Sequence, residues 1–475
     1  MGARRKAPQA PRGRVVPGTE GVFDLEEKAP EEQQELICAL IGTLHHFFGG
    51  FSPLFAHVTD PRNPLKIVYP LASLAFAGVM MFLFQLKARR QIGLLLRNGP
   101  SIRKFQALFG VQCFPHGDTL NEIFSNLVAE QIQMVVSSMT ETLIRKKVLY
   151  SYRLLGIYFI VAIDGTGTIS FSRRHCLHCL TRTSNGKTLF YHPVLEAKIV
   201  TANGFAFSLM TEFIENHGEK TTKQDCELKA FYRLAERLKI RFPRLPILLS
   251  MDGLFAGGPT FDLCRRYGWK FMIVLKDDDL PSVNEEFNAL SKLQPENQLV
   301  WRTGRGAQIK QVFRWVDDIA YSDAKKRDHT VSVIECLETK PDRQGQQKTT
   351  KFKWVTNYNV SCKNVTTLAN DGGRLRWKIE NEGFNVQKKG GYELEHAYTN
   401  HHNAAKIFYF LLQIAHLLAQ LLNKATLLKD DFPHGFGSAK NLAFRLLEAW
   451  RNASLTQTDI TAALQRRFQI RFDSS

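Results

Sequence analysis

Two aspartates stand directly after apolar runs, where a buried negative charge could serve chemistry at the edge of a sheet. Residues 158–163 read YFIVAI and lead into Asp164 and a glycine, and residues 246–251 read PILLSM and lead into Asp252 and a glycine. Apolar runs of this kind are typical of strands covered on both faces. Side by side in one sheet, both strands would deliver a carboxylate to the edge where open α/β folds bind ligands. The alternative for each Asp-Gly pair is a tight turn, because Asp tolerates and Gly prefers left-handed backbone.

A third carboxylate lies in a predicted helix. Residues 374–389 read RLRWKIENEGFNVQKK and carry four side chains at four-residue intervals: Arg376, Glu380, Phe384 and Lys388. This spacing keeps side chains on one slowly drifting face of an α-helix, whereas Glu382 points elsewhere. The alternative is an ordinary surface helix with intrahelical salt bridges.

As a set, the three carboxylates resemble those of the DDE transposases of bacterial insertion sequences. The resemblance is to the cut-and-paste group whose glutamate lies in a Tyr-x2-Arg-x3-Glu-x6-Lys signature. It is specific in residues 158–168, 246–255 and 374–396, and it spans roughly residues 60–428. It implies a ribonuclease-H-like core that is interrupted between the second aspartate and the glutamate.

The resemblance also implies a role for individual residues. The expected catalytic and metal-binding residues are Asp164, Asp252 and Glu380, and the expected contacts to the DNA backbone at the element ends are Arg376 and Lys388. Two positions depart from the signature. Gly373 stands at the Tyr position, and Gln387 stands at the Lys position, so that Lys388 comes one residue late. The role of the signature tyrosine is therefore not carried over.

Three carboxylates in one pocket repel one another at neutral pH, so this arrangement calls for cations. Hard oxygen ligands suit Mg²⁺, with Mn²⁺ as a substitute. Two such ions about 4 Å apart can activate a water or a DNA 3′-hydroxyl and stabilise the leaving oxygen. The expected function is DNA strand cleavage and strand transfer. The expected partners are double-stranded DNA, as terminal inverted repeats and as target, and a second copy of the chain, because two ends must be held together.

Two other functions use the same residues differently. One is a catalytically inactive DNA-binding protein derived from a transposase, and the other is a structure-selective nuclease on the same fold. A membrane protein is a third alternative, because residues 67–86 form a twenty-residue stretch without a charge that is followed by basic residues. Its Ala, Gly, Ser, Gln and Pro residues favour a buried core helix instead, so we expect no membrane association.

The charge of the chain points to a polyanionic partner. Its 63 Lys and Arg residues exceed its 45 Asp and Glu residues, which gives a formal net charge of +18. Nucleic acid is the first candidate partner, and an anionic membrane is the second. Residues 87–117 concentrate this charge around an amphipathic helix, and four side chains there are predicted to contact DNA: Arg89, Arg90, Arg103 and Lys104.

The eight cysteines do not have the spacing of a disulfide framework, and an intracellular setting fits them better. Cys176 and Cys179 form a Cys-x2-Cys pair that is flanked by histidines, and this pair predicts a zinc site with Cys226 or His192 as a further ligand. Reduced cysteines in a β-hairpin are the alternative. No signal peptide is recognisable at the start of the sequence, and the expected location is the prokaryotic cytoplasm, in association with the nucleoid.

The elements that must position these residues predict an α/β fold. We expect a ribonuclease-H-like mixed sheet flanked by helices, with a helical N-terminal region and a β-rich insertion before the last catalytic helix. The predicted divisions are a disordered basic and acidic tail (1–35), a helical DNA-binding region (36–150), the first part of the core (151–282), the β-rich insertion (283–365), the last part of the core (366–428) and a helical C-terminal region (429–475).

Overall fold

The computed structural model describes residues 22–216, 224–425, 428, 432–433, 435–465 and 472. A ten-stranded mixed sheet runs through the centre of the protein. Its strands are β1 (Phe159–Phe171), β2 (Leu180–Ser184), β3 (Lys187–Val200), β4 (Ala206–Phe213), β5 (Ile247–Met251), β6 (Lys270–Val274), β7 (Gln298–Thr303), β8 (Ile309–Ser322), β9 (Asp328–Pro341) and β10 (Gln347–Thr356). The prediction of an α/β fold is confirmed at this level.

The strand order is β2-β3-β1-β5-β6-β10-β9-β8-β7, with β4 paired to β3. Strand β1 is antiparallel to β3 and parallel to β5, and β5 is parallel to β6. Strand β10 pairs with β6 in antiparallel orientation, so that strands β7 to β10 extend the same sheet. The predicted β-rich insertion is therefore continuous with the central sheet.

The helices are α1 (Val22–Phe48), α2 (Leu71–Leu83), α3 (Arg90–Leu95), α4 (Gly99–Phe109), α5 (Gly117–Asn126), α6 (Ala129–Arg145), α7 (Glu227–Arg241), α8 (Gly258–Tyr267), α9 (Pro281–Leu293), α10 (Val365–Thr367), α11 (Asn385–Lys389), α12 (His402–Lys424), α13 (Ala439–Asn452) and α14 (Gln457–Gln465). Helices α1 to α6 precede the first strand, α7 to α9 connect strands of the sheet, and α10 to α14 follow the last strand. Helix α1 begins inside the segment that was predicted as a disordered tail, so that prediction is wrong from Val22 onward. Residues 1–21 lie outside the described residues.

The most apolar helices are packed inside the protein. The stretch at residues 67–86 forms only the thirteen-residue helix α2, which is too short to cross a bilayer and is buried against α12. Among the described residues, α12 alone is long and apolar enough for a span, and 89% of its most apolar window is buried. Both helices are therefore packed as core helices.

Alternate residues of β1 face two different layers. Phe159, Val161 and Ile163 pack with the large core beneath the N-terminal and C-terminal helices. Ile160 and Ala162 pack on the other face, against the chain that follows β10. Since side chains alternate along a strand, the face of Ile160 and Ala162 is also the face of the next even-numbered residue, Asp164.

Candidate active site

Asp164 and Asp252 lie at the same level of two neighbouring parallel strands. Ala162 of β1 is in register with Ser250 of β5, and each aspartate follows two residues later. The backbone of Asp252 is still extended, so both side chains emerge on one face of strands that lie about 4.8 Å apart. The sheet itself thus brings together two carboxylates that are 88 positions apart in the sequence (252 − 164).

Neither aspartate sits in the predicted alternative, a left-handed Asp-Gly turn. Strand β1 continues through Asp164 and Gly165 to Phe171, and it is longer than the apolar run suggested. Neither Gly165 nor Gly253 has left-handed backbone. Asp252 instead caps a short 3-10 turn, because its carboxylate accepts a hydrogen bond from the backbone N–H of Leu254 at 3.1 Å.

The two glycines leave room for neighbouring carboxylates. A Cβ atom added at Gly165 would clash with the carboxylate of Glu227, and one added at Gly253 would clash with the carboxylate of Asp279. Glu227 is the first residue of α7 and reaches the sheet beside Asp164. Sequence reasoning missed Glu227. The glycine after Asp164 signals a close neighbour, but it does not identify which residue that neighbour is.

Glu380 lies in a helical segment of mixed turn types, residues 365–389, which we call the winding segment. It packs on the sheet face that carries Asp164. After α10 it forms π turns at Leu368–Gly373, a 3-10 turn at Arg374–Arg376 and π turns again at Ile379–Phe384, before α11 begins. The prediction of a helix is confirmed, since residues 365–389 are helical without a break, but most of its turns are of the π or 3-10 type and the four-residue spacing does not define one face. π turns of this kind often occur at functional sites.

Packing fixes this winding segment on the sheet. Ile379 and Phe384 are buried in the same apolar cluster as Ile160 and Ala162. The Ser250 hydroxyl donates a hydrogen bond to the carbonyl of Gly372 at 3.3 Å. The segment is therefore anchored to β5 two residues before Asp252.

Arg376 points into the carboxylate group. Its Nη1 donates to Oδ2 of Asp164 at 3.1 Å, and only 12% of its side chain is exposed. Its Nε is buried and has no hydrogen-bond partner among the described residues. Arg376 thus supplies the positive charge that faces Asp164, and its predicted contact with DNA stays a prediction.

The acidic side chains perturb one another. Burial raises the pKa of Asp164; Arg376 lowers that pKa, and the carboxylates of Asp252 and Glu380 raise it. Burial also raises the pKa of Glu227, and Asp164 and Asp252 raise it further. The three predicted carboxylates and Glu227 therefore form one electrostatic group.

The donor chemistry of this group fits a hard divalent cation, since all its ligand atoms are carboxylate oxygens. Its oxygens are spread more widely than those of a closed metal site. Within the described parts of the chain, two groups of side chains have all their ligand atoms within 4.8 Å of one another, and the three carboxylates form neither group. Asp164, Asp252 and Glu380 are the residues that would hold the cation.

The structure separates Lys388 and Gln387. The Lys388 ammonium pairs with Glu395 at 2.9 Å. Gln387 is buried, and its amide donates to Oε1 of Gln413 at 2.9 Å and lies 3.0 Å from Nδ1 of His416. Gln387 therefore stabilises packing against α12, and of the two residues only Lys388 remains a candidate for DNA contact.

The four basic residues predicted near α4 have different surroundings. Arg90 and Arg103 are exposed. Arg89 is partly buried and donates to the carbonyl of Gly117 at 3.0 Å. Lys104 is fully buried, its ammonium donates to the carbonyl of Ala453, and burial lowers its pKa to about 8. The prediction that Lys104 contacts DNA is wrong, because the Lys104 side chain is buried between α4 and the end of α13.

The Cys-x2-Cys pair lies in the first of the two compact groups. Cys176, Cys179, His175 and His192 have their ligand atoms within 4.8 Å of one another. Cys226 precedes α7, is exposed and belongs to neither group. The structure thus corrects the predicted ligand set: His192 and His175 stand beside the cysteines, and Cys226 does not.

The second compact group is His178, Glu215 and His402. His402 Nε2 lies 2.6 Å from one oxygen of Glu215, and Lys406 Nζ lies 2.8 Å from the other. The imidazole ring of His178 stacks on that of His402 with centroids 4.0 Å apart. Because Glu215 is already paired with two basic groups, this group is an ion-pair cluster.

No protein-family model matches this chain, and no curated protein matches it. Its function is therefore inferred from the residues and their geometry.

Proposed function

We propose that this protein is a DDE transposase that binds the ends of a mobile element and catalyses metal-dependent strand cleavage and strand transfer. The observation that carries the proposal is that the carboxylates of Asp252 and Glu380 are close enough to raise the pKa of Asp164, while Arg376 donates a hydrogen bond to the same aspartate. The intervals between these carboxylates are 88 and 128 positions (252 − 164 and 380 − 252). Because neighbouring carboxylates repel one another, acids brought together from such remote segments favour a site that binds a cation.

The strand arrangement supports a ribonuclease-H-like core. Strands β3 and β4 are antiparallel neighbours on one side of β1, and β5 and β6 are parallel neighbours on the other side. Helices α7 and α8 connect β4 to β5 and β5 to β6. In this arrangement, the first aspartate lies on the central strand and the second follows the adjacent parallel strand.

The carboxylates and Arg376 have complementary roles in the proposed reaction. Asp164, Asp252 and Glu380 would hold Mg²⁺, and bound Mg²⁺ supplies activation of the attacking hydroxyl and stabilisation of the leaving oxygen. Arg376 pairs with Asp164. Its planar guanidinium would be the group beside the carboxylates that donates hydrogen bonds to a DNA phosphate.

The surface charge supports DNA as the substrate. A net charge of +18 attracts a polyanion over a long range, and the exposed Arg90 and Arg103 lie on the N-terminal helical region. We further propose that a second copy of the chain joins the DNA complex, since two element ends must react together.

The test uses the full chain, Mg²⁺ and a DNA fragment that carries the inverted repeats flanking its own gene. We expect nicks at the element ends and joined products, and we expect the same end binding but no cutting from Asp252→Asn. Glu382→Gln is the matched control, because Glu382 lies on the same winding segment but pairs with Lys378 at 3.1 Å. It should cut normally.

Other outcomes would overturn the proposal. Binding of the ends without any cutting in Mg²⁺ or Mn²⁺ would identify an inactive DNA-binding protein. Cutting that follows branched DNA structure and ignores the end sequence would identify a structure-selective nuclease.

A further inference from the structure

We propose that His175, Cys176, Cys179 and His192 form a structural zinc site. The two sulfurs lie 3.5 Å apart. His192 Nε2 lies 3.4 Å from the sulfur of Cys176 and 3.3 Å from that of Cys179, and His175 Nδ1 lies 3.2 Å from the sulfur of Cys179. A tetrahedron with Zn–S bonds of about 2.3 Å and Zn–N bonds of about 2.1 Å has edges of about 3.4 to 3.8 Å. The observed separations are close to these edges.

The identity of the ligands favours zinc over other metals. Two thiols and two imidazoles are the softer donors that select zinc, in contrast to the all-oxygen group at Asp164. The set provides four protein ligands, and a closed set of four is typical of structural zinc sites. The sulfurs lie 3.5 Å apart, well beyond the roughly 2.05 Å of a disulfide.

The fold presents these ligands from two directions. His175, Cys176 and Cys179 lie in the connection from β1 to β2, and His192 lies on β3. A bulge at Thr168 re-aims β1 beside His192, because Gly167 pairs with Pro193 and Ile169 pairs with His192. The Thr168 hydroxyl donates to the carbonyl of His192 at 2.7 Å and holds the bulge in place.

The connection itself is fixed from outside. The side chain of Asn216 donates to the carbonyl of Cys179 at 2.9 Å, and its backbone N–H donates to the carbonyl of His178 at 3.2 Å. Such outer contacts orient metal ligands and are part of the site. Cys179 is fully buried, whereas His175 is exposed. The site therefore lies at the protein surface, with one ligand inside the protein and one in contact with solvent.

The site lies too far from the carboxylates to share their metal. His192 pairs with Ile169, which is five positions beyond Asp164 on β1 (169 − 164). Five positions of extended strand cover about 17 Å. The connection from β1 to β2 carries the exposed Arg173 and Arg174. Zinc bound here would attach this connection to the paired strands β1 and β3.

The first experiment is metal analysis of the full chain purified without added metal and then loaded with an excess of Zn²⁺. We expect one zinc per chain after removal of the unbound metal. We also expect Co²⁺ to give the intense visible absorption of a tetrahedral thiolate site. Absence of bound zinc after loading, or an octahedral Co²⁺ spectrum, would overturn the proposal.

Variants distinguish the ligands from their neighbours. Cys176→Ser and His192→Gln should each lose stoichiometric zinc, whereas Cys226→Ser and His178→Gln should retain it. If a ligand variant does not fold, chelator titration of the wild-type chain measures the same affinity. Retention of full zinc affinity by a folded Cys176→Ser chain would contradict the assignment, and so would loss of zinc from Cys226→Ser.

A local readout follows from the two exposed arginines. Trypsin should cleave after Arg173 or Arg174 at least about tenfold faster once zinc is removed, because metal-linked order protects local segments. Cleavage after Arg343, in the exposed β9–β10 turn, should not change and serves as the internal control. Equal rates after Arg173 and Arg174 with and without zinc would contradict the proposed role. Asp164→Asn should still bind zinc, so this proposal and the transposase proposal can fail separately.

Discussion

The protein holds two groups of metal-type ligands, and they are organised differently. The Cys and His ligand atoms at residues 175–192 already lie within 4.8 Å of one another. The carboxylates at Asp164, Asp252 and Glu380 are more widely spaced, and Arg376 stands among them. Burial raises the pKa of Cys176 to about 11 and lowers that of His192 to about 4, so these two side chains are uncharged at neutral pH. Uncharged ligands can gather closely before metal arrives, whereas carboxylates repel.

The two groups on this one sheet therefore differ in where their ligands come from and in how their charge is balanced. The compact group comes from a strand and an adjacent connection, and it offers four protein ligands. The acidic group comes from three remote segments, and Arg376 is the positive charge that faces Asp164. We infer that the first group would have a structural role and that the second would have a catalytic role.

Removing one carboxylate charge should have the largest effect. Asp164→Asn, Asp252→Asn and Glu380→Gln should each lower the initial rate of end cleavage by about a thousandfold or more, because the cation-dependent step loses a ligand. Zinc content, measured in the same preparations, should stay at one per chain. A variant that cuts normally would remove its residue from the proposed site, and coupled loss of zinc would break the distinction between the two groups.

Replacing Arg376 should have an intermediate effect. We expect Arg376→Gln to lower the cleavage rate by roughly 10- to 100-fold. The slope of the logarithm of the end-binding constant against the logarithm of salt concentration should fall by about one, because one phosphate contact is lost. The control is Arg374→Gln, since Arg374 lies two residues earlier but pairs with Glu338 of the sheet extension. Equal losses in both variants would show that the effect comes from the segment as a whole.

The outer contact at the compact group should have a smaller effect. Asn216→Ala removes the hydrogen bond to the carbonyl of Cys179 and should weaken zinc binding by about tenfold, measured by chelator competition. Asn441→Ala is the control, because it removes a similar hydrogen bond, from the side-chain amide of Asn441 to the carbonyl of Phe436, in the C-terminal helical region. Unchanged zinc affinity in Asn216→Ala would mean that the connection is fixed without this contact.

Filling the space beside Asp164 should have the smallest effect. An added Cβ at Gly165 would displace the carboxylate of Glu227, which is the mobile end of a side chain, so the protein should fold. We expect Gly165→Ala to lower the cleavage rate by about fivefold, equivalent to about 1 kcal/mol. Gly167→Ala is the control, because nothing lies within 4 Å of its added Cβ. Recovery of the rate in Gly165→Ala with Glu227→Ala would identify Glu227 as the displaced group.

Much of the sheet could be predicted from short-range patterns. The apolar runs before Asp164 and Asp252 correspond to β1 and β5, although β1 continues beyond Asp164. Alternation and apolar runs work because each strand buries its own side chains on a known period. The position of Lys104 could not be predicted, because the basic stripe around it resembles a solvated face until α13 covers it.

The order of the amino acids alone shows that two apolar runs lead directly into aspartates, that an Arg and a Glu follow on a later segment, and that two cysteines lie three positions apart. Three features are visible only in the folded protein: Glu227 joins the acidic group, π turns carry Glu380, and His192 rather than Cys226 lies beside the cysteines. The cause is the distance along the chain over which the governing interactions act. Periodicity and turn chemistry depend on neighbouring residues, whereas these three outcomes depend on strand register and on packing between segments that are distant in the chain.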